Sequence, residues 1–134
     1  MTPEQLWTDY AVWLHEYVIA SVDERIDRPE VAARLLRTPI ELGRAVEKAR
    51  TRREGRALTK ALKQHVIMAI DYVDAVCAGD QQRFREIEAV WKQATAGEEW
   101  HSHIPLITEL LTARLEENFD RAVNTFDELL RSAA

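Results

Sequence analysis

The chain predicts an all-α fold, an antiparallel bundle of four to five helices with a proline-kinked second helix. Three observations carry that prediction. Apolar residues recur at spacings of three and four along almost the whole length, alternating strand-like runs are absent, and Thr-Pro, Gly-Asp and isolated Gly positions punctuate the helical stretches. With 134 residues, of which 46% are hydrophobic, the chain reads as one domain. A chain near this size buries roughly two-thirds of its unfolded surface, so a single core suffices without staples.

Thr2-Pro3-Glu4-Gln5 sets a threonine cap before a proline, with Gln5 placed to complete a capping box, so helix 1 is expected from about Pro3 to Arg25. Positions 10 to 14 and 17 to 20 are almost all apolar, and Trp7, Tyr10, Trp13 and Tyr17 line one broad strip. That excess fits either a central position or a second apolar face used for self-association as a homodimer. Asp27-Arg28-Pro29 and Thr38-Pro39-Ile40-Glu41 then divide the second helical region at Pro39, into helix 2a near 29–37 and helix 2b near 39–50.

Thr51 and Glu54 form a capping-box pair, whereas Gly55 is equally placed to cap the end of helix 2b; either way the chain turns between 50 and 56. Helix 3 carries Leu58, Leu62, Val66, Ala69, Val73 and Val76 on one stripe and is expected to be the most buried helix. Gly79-Asp80 ends it and caps helix 4, which runs through Phe84, Ile87, Val90 and Trp91 to about Ala96, where Gly97 stops it. From Ser102 to about Ser132, the stripe Ile104, Ile107, Leu111, Leu115, Phe119, Val123, Phe126 and Leu130 predicts one last helix. If continuous it spans about 45 Å. There is no repeat of solenoid length and no low-complexity segment.

The single cysteine, Cys77, excludes an internal disulfide and points to a reducing compartment. Glu4, Asp9, His15, Glu16 and Asp23 interrupt the first thirty residues and argue against a secretory signal, and no run reaches the roughly eighteen apolar residues of a membrane span. The expected setting is the cytoplasm, in a bacterium, with no membrane partner.

Three stretches resemble a family of small bacterial helical-bundle proteins without an established activity: WLHEYVIAS (Trp13 to Ser21), RLLRTPIELGRAV (Arg34 to Val46) and LTKALKQHVIMAIDYVDAVCAGD (Leu58 to Asp80). The resemblance covers residues 13–80, with a looser echo in LLTARLEENFDRAV. Glu16, Tyr17, Gly43 and His65 match the family pattern, while His15 stands where the family has arginine and Thr38-Pro39 replace Asn-Gln. The resemblance implies a bundle fold and little about chemistry.

Most catalytic classes find no support in the residues. Cys77 lies in an apolar helix with no cationic neighbour in sequence to activate it, and the glycines at 43, 55, 79 and 97 never cluster into a phosphate loop or dinucleotide fingerprint. Paired acids such as Asp71 and Asp74, or Glu116 and Glu117, fit solvated helix faces. The expectation is a non-enzymatic protein without a cofactor. Its alternative is a small-molecule or divalent-metal site, using His65 or the cluster of Glu98, Glu99, His101 and His103, where Glu98 and His101 have the i, i+3 spacing of di-metal bundles. Such bundles need two of these motifs, and one is present.

Charge is distributed more pointedly than chemistry. Eight of the eighteen Lys and Arg residues fall between Arg44 and Lys63, against only Glu47 and Glu54, so this window carries +6 and the other 114 residues −11 of the net −5. Arg52, Arg53, Arg56, Lys60 and Lys63 are the candidate contacts for an acidic protein partner or an anion. Nucleic acid fits less well, because the window lacks an aromatic residue to stack on bases. Arg44 to Arg50 complement a helix C-terminus, whereas Arg56 to Lys63 oppose a helix N-terminus, so a partner is expected at the start of helix 3.

Overall fold

A computed structural model describes residues 2–94 and 103–133, the side chains of 3, 94, 103, 104, 132 and 133 excepted. These residues form α1 (Pro3–Val22), α2 (Arg28–Leu35), α3 (Thr38–Ala49), α4 (Arg52–Cys77), α5 (Gln81–Ala94), α6 (His103–Leu115) and α7 (Phe119–Ala133), with no strand among them. The fold is an all-α bundle. No described helix is long and apolar enough to cross a membrane.

Capping chemistry sets most of the boundaries. Thr2 Oγ1 accepts from the Gln5 backbone N–H at 3.2 Å while Gln5 Oε1 accepts from the Thr2 N–H at 2.8 Å, a complete capping box. The kink at Pro39 is also present: α2 ends at Leu35, whose carbonyl accepts from the Thr38 hydroxyl at 2.7 Å. Gly79, at φ 71, closes α4 with the Gly79 N–H on Val76 O and the Asp80 N–H on Ala75 O, both 3.0 Å. Asp80 Oδ1 then accepts from the Arg83 N–H at 3.1 Å and starts α5.

α1 is the central helix, not α4 as the apolar stripe of α4 suggested. It packs on α2, α3, α4, α6 and α7, and Tyr10, Ala11, Leu14, Tyr17 and Val18 are all buried. Each large apolar side chain buried this way contributes about 1.5–3 kcal/mol. The first third of α4 is largely solvent-exposed instead; Leu58 packs on the core while only partly buried, and the fully buried side chains begin at Leu62 and continue through His65, Val66, Ala69, Tyr72 and Val73.

The expected 45 Å terminal helix is two helices. Glu117 adopts a left-handed φ of 57°, the Asn118 N–H bonds Ala113 O at 2.8 Å, and the Glu117 N–H bonds Arg114 O at 3.1 Å, so α6 terminates there. Asn118 Oδ1 accepts from the Arg121 N–H at 3.2 Å and caps α7. The reversal packs α7 back on α6 and α1 and rotates its inward face to Ala122, Thr125 and Leu129. Leu115, Phe119 and Val123, inward on a straight helix, are thereby exposed. Because glutamate carries a Cβ penalty in the left-handed region that glycine lacks, Glu117→Gly should stabilise the fold by about 1 kcal/mol. A thermal melt checks this; a lowered midpoint contradicts it.

Candidate functional site

The basic window folds as a helical hairpin. α3 ends at Ala49, with the Arg50 N–H on Val46 O at 2.8 Å, and Thr51 caps α4 by accepting from the Glu54 N–H at 3.1 Å. Of the two readings of this boundary, the Thr51 cap is the one realised. Gly55 does not end α3; it lies in the first turn of α4, where it meets α3.

Glycine is required at this crossing because backbone touches backbone. A Cβ on Gly55 would lie 2.5 Å from the Gly43 carbonyl oxygen and 2.7 Å from the Glu47 nitrogen, and a Cβ on Gly43 would lie 2.9 Å from the Gly55 carbonyl oxygen and collide with the Thr59 hydroxyl. The two helices therefore approach more closely than any side chain permits. The crossing joins α3, which carries Arg44 and Lys48, to α4, which carries Arg52, Arg53, Arg56, Lys60 and Lys63.

All eight cations of the hairpin, with Arg50 at its turn, are solvent-exposed. Of these eight, only Arg56 has an ion pair among the described residues, with Glu47 at a loose 3.7 Å and with 70% of the Arg56 side chain exposed. Elsewhere the pattern is reversed. Six of the ten other Lys and Arg residues are paired: Arg25, Arg28, Arg34, Lys92, Arg114 and Arg121. Lys48 in the last turn of α3 complements that helix end, but Arg52 and Arg53 open α4, where the helix dipole disfavours positive charge. Among the described residues, intramolecular pairing in the hairpin is thus limited to the loose Arg56–Glu47 contact.

No family model, no curated protein and no solved structure matches this chain.

His65 lies in the core rather than at its edge, 1% exposed. The Trp91 indole N–H donates to His65 Nδ1 at 2.9 Å, and His65 Nε2 lies 2.9 Å from Tyr10 Oη. An indole nitrogen only donates, so Nδ1 supplies the lone pair, the ring hydrogen resides on Nε2, and Tyr10 oxygen accepts it. In this arrangement neither nitrogen is open to a metal or haem. Burial pushes the Tyr10 phenol far above its ordinary range, which keeps it a neutral partner.

Among the described residues, no group of three or more His, Cys, Asp or Glu is placed to hold a metal ion. Glu98, Glu99 and His101 lie outside the described residues, as does the side chain of His103. Cys77 is half-buried, and burial pushes its thiol up, away from the reactive thiolate.

Two of the four aromatic residues assigned to self-association are consumed by the chain's own core. Tyr10 is fully buried on His65, and Tyr17 donates from its hydroxyl to Asp74 Oδ1 at 2.5 Å, where Arg28 also pairs. Trp7 packs edge-on against Tyr10, and Trp13 lies under the Arg34 guanidinium at 5.2 Å. The apolar excess of α1 thus follows from its central position. Arg28 and Asp74 of this cluster line a polar cleft of about 260 Å³ with Ser21 and Cys77, and the cluster had no sequence signal, because Asp74 lies 46 and 57 residues from Arg28 and Tyr17.

Proposed function

We propose that this protein is a non-catalytic binding module whose α3–α4 hairpin engages an acidic protein partner or anion through Arg44 to Lys63. The observation that carries this reading is the contrast in pairing among the described residues: cations elsewhere are mostly paired within the chain, and those of the hairpin are exposed, with only Arg56 in a loose pair. An acidic surface supplies the missing countercharge and relieves the repulsion at the start of α4. A cytoplasmic setting suits its lone Cys77.

Fluorescence anisotropy with a labelled oligoglutamate tests the reading. Wild-type protein should bind with an affinity that falls as salt rises, and Arg52→Glu/Arg53→Glu/Arg56→Glu should weaken it by about tenfold or more. Because all three positions are exposed, the variant should keep its helical spectrum. Unchanged binding would remove the island from the account, and tighter binding of an oligonucleotide of equal charge would replace the acidic-protein partner.

A further inference from the structure

The stripe of cations does not stop at the island. Arg56, Lys60, Lys63 and Ile67 follow one another at spacings of four, three and four, so they share one face of α4. That face leads from the exposed cations into an apolar groove of about 390 Å³ between α4 and α5, floored by Ile67, Met68, Ile87 and Val90. Ile67 and Val90 are 44% and 57% exposed there, with no helix among the described residues covering them. At its far end the groove is edged by Asp71 and Glu86, so charge reverses sign along its length.

We infer that the partner engaged by the hairpin is an amphipathic acidic helix, lying along α4 with its apolar face in the Ile67–Val90 groove and its carboxylates on Arg56, Lys60 and Lys63. This rests on the function proposed above and names the partner of that same surface. The groove supplies apolar anchors at helical spacing, and the neighbouring cations supply countercharge on one side only. Asp71 and Glu86 fix the direction: they repel the acidic end and favour a helix N-terminus or a basic residue at the other. From Arg56 to Asp71 the face is about 22 Å long, which accommodates a partner of about fifteen helical residues.

Two synthetic peptides of that length and equal charge test the inference, one with leucines on a single helical face and glutamates toward one end, the other scrambled so that no apolar face forms. The amphipathic peptide should bind wild-type protein at least about tenfold more tightly than the scrambled one. Ile67→Asp/Val90→Asp, both at exposed positions, should abolish that difference. Lys60→Glu/Lys63→Glu should lose the acidic peptide and gain one carrying lysines in place of its glutamates. Equal binding of the two peptides, or an unaffected groove variant, overturns the groove while leaving the island standing if oligoglutamate still binds. Failure of all three probes on wild-type protein overturns both.

Discussion

Gly55→Ala should destabilise the protein by about 3 kcal/mol, the top of the usual range for overpacking, because the new methyl meets backbone that cannot rotate away. The Gly43 carbonyl oxygen and the Glu47 nitrogen lie 2.5 and 2.7 Å from where the Cβ must go. Relief requires α3 and α4 to separate. Gly43→Ala meets the same crossing from the other side, so the double variant should cost less than the two single effects added. Gly79→Ala is the comparison: nothing lies within 4 Å of its Cβ, and only its φ of 71° penalises alanine, at about 1 kcal/mol. Denaturant unfolding reads all three. Equal losses at positions 55 and 79 would show that the crossing is not tight. The Gly55 variant should also bind oligoglutamate less well, since separated helices no longer present their cations together.

Trp91→Phe should cost about 3 kcal/mol, through a lost donor as well as lost volume. Trp91 is fully buried, and its N–H is the hydrogen held on His65 Nδ1. Without it, the Nδ1 lone pair is left inside an apolar core, and an unsatisfied buried acceptor is more destabilising than a hydrogen bond is stabilising. His65→Leu in the Trp91→Phe background should therefore cost much less than in the wild type. A double-mutant cycle by denaturant unfolding measures that coupling. Additive effects would mean that the Trp91–His65 bond contributes nothing.

Local signals in the sequence translated faithfully into structure. Thr2 with Gln5, Pro39 and Gly79-Asp80 all act at the backbone within a few residues, and each boundary they predicted is present. The signals that misled were those whose outcome depends on the rest of the molecule. The stripe through Leu115, Phe119 and Val123 has helical periodicity, yet Asn118 caps a new helix there and Glu117 accepts a left-handed turn that glycine more often takes. Periodicity registers neither event. Gly55 left the boundary between a Thr51 cap and a glycine terminator open, because a glycine needed for a backbone crossing is indistinguishable from one needed for a turn until the second helix is in place.

The site divides in the same way. The charge island was legible because composition alone reveals it, and its sparse ion pairing among the described residues was not, because pairing depends on which acids the fold brings near. His65 was noticed as a lone histidine on an apolar face, but its bonds to Tyr10 and Trp91 link residues 55 and 26 positions away. The aromatic strip of α1 fitted a central position and a homodimer face equally, since an apolar helix reads alike whether its neighbours belong to its own chain or to another copy.

The most direct test of the central claim is an amide chemical-shift titration of the protein with the acidic amphipathic peptide. Shifts concentrated on the amides of residues 44 to 63 and extending along α4 to Ile67, fading as salt rises, are the predicted result. Shifts confined to other helices, or none at saturating peptide, would contradict the claim that the α3–α4 hairpin is the binding surface.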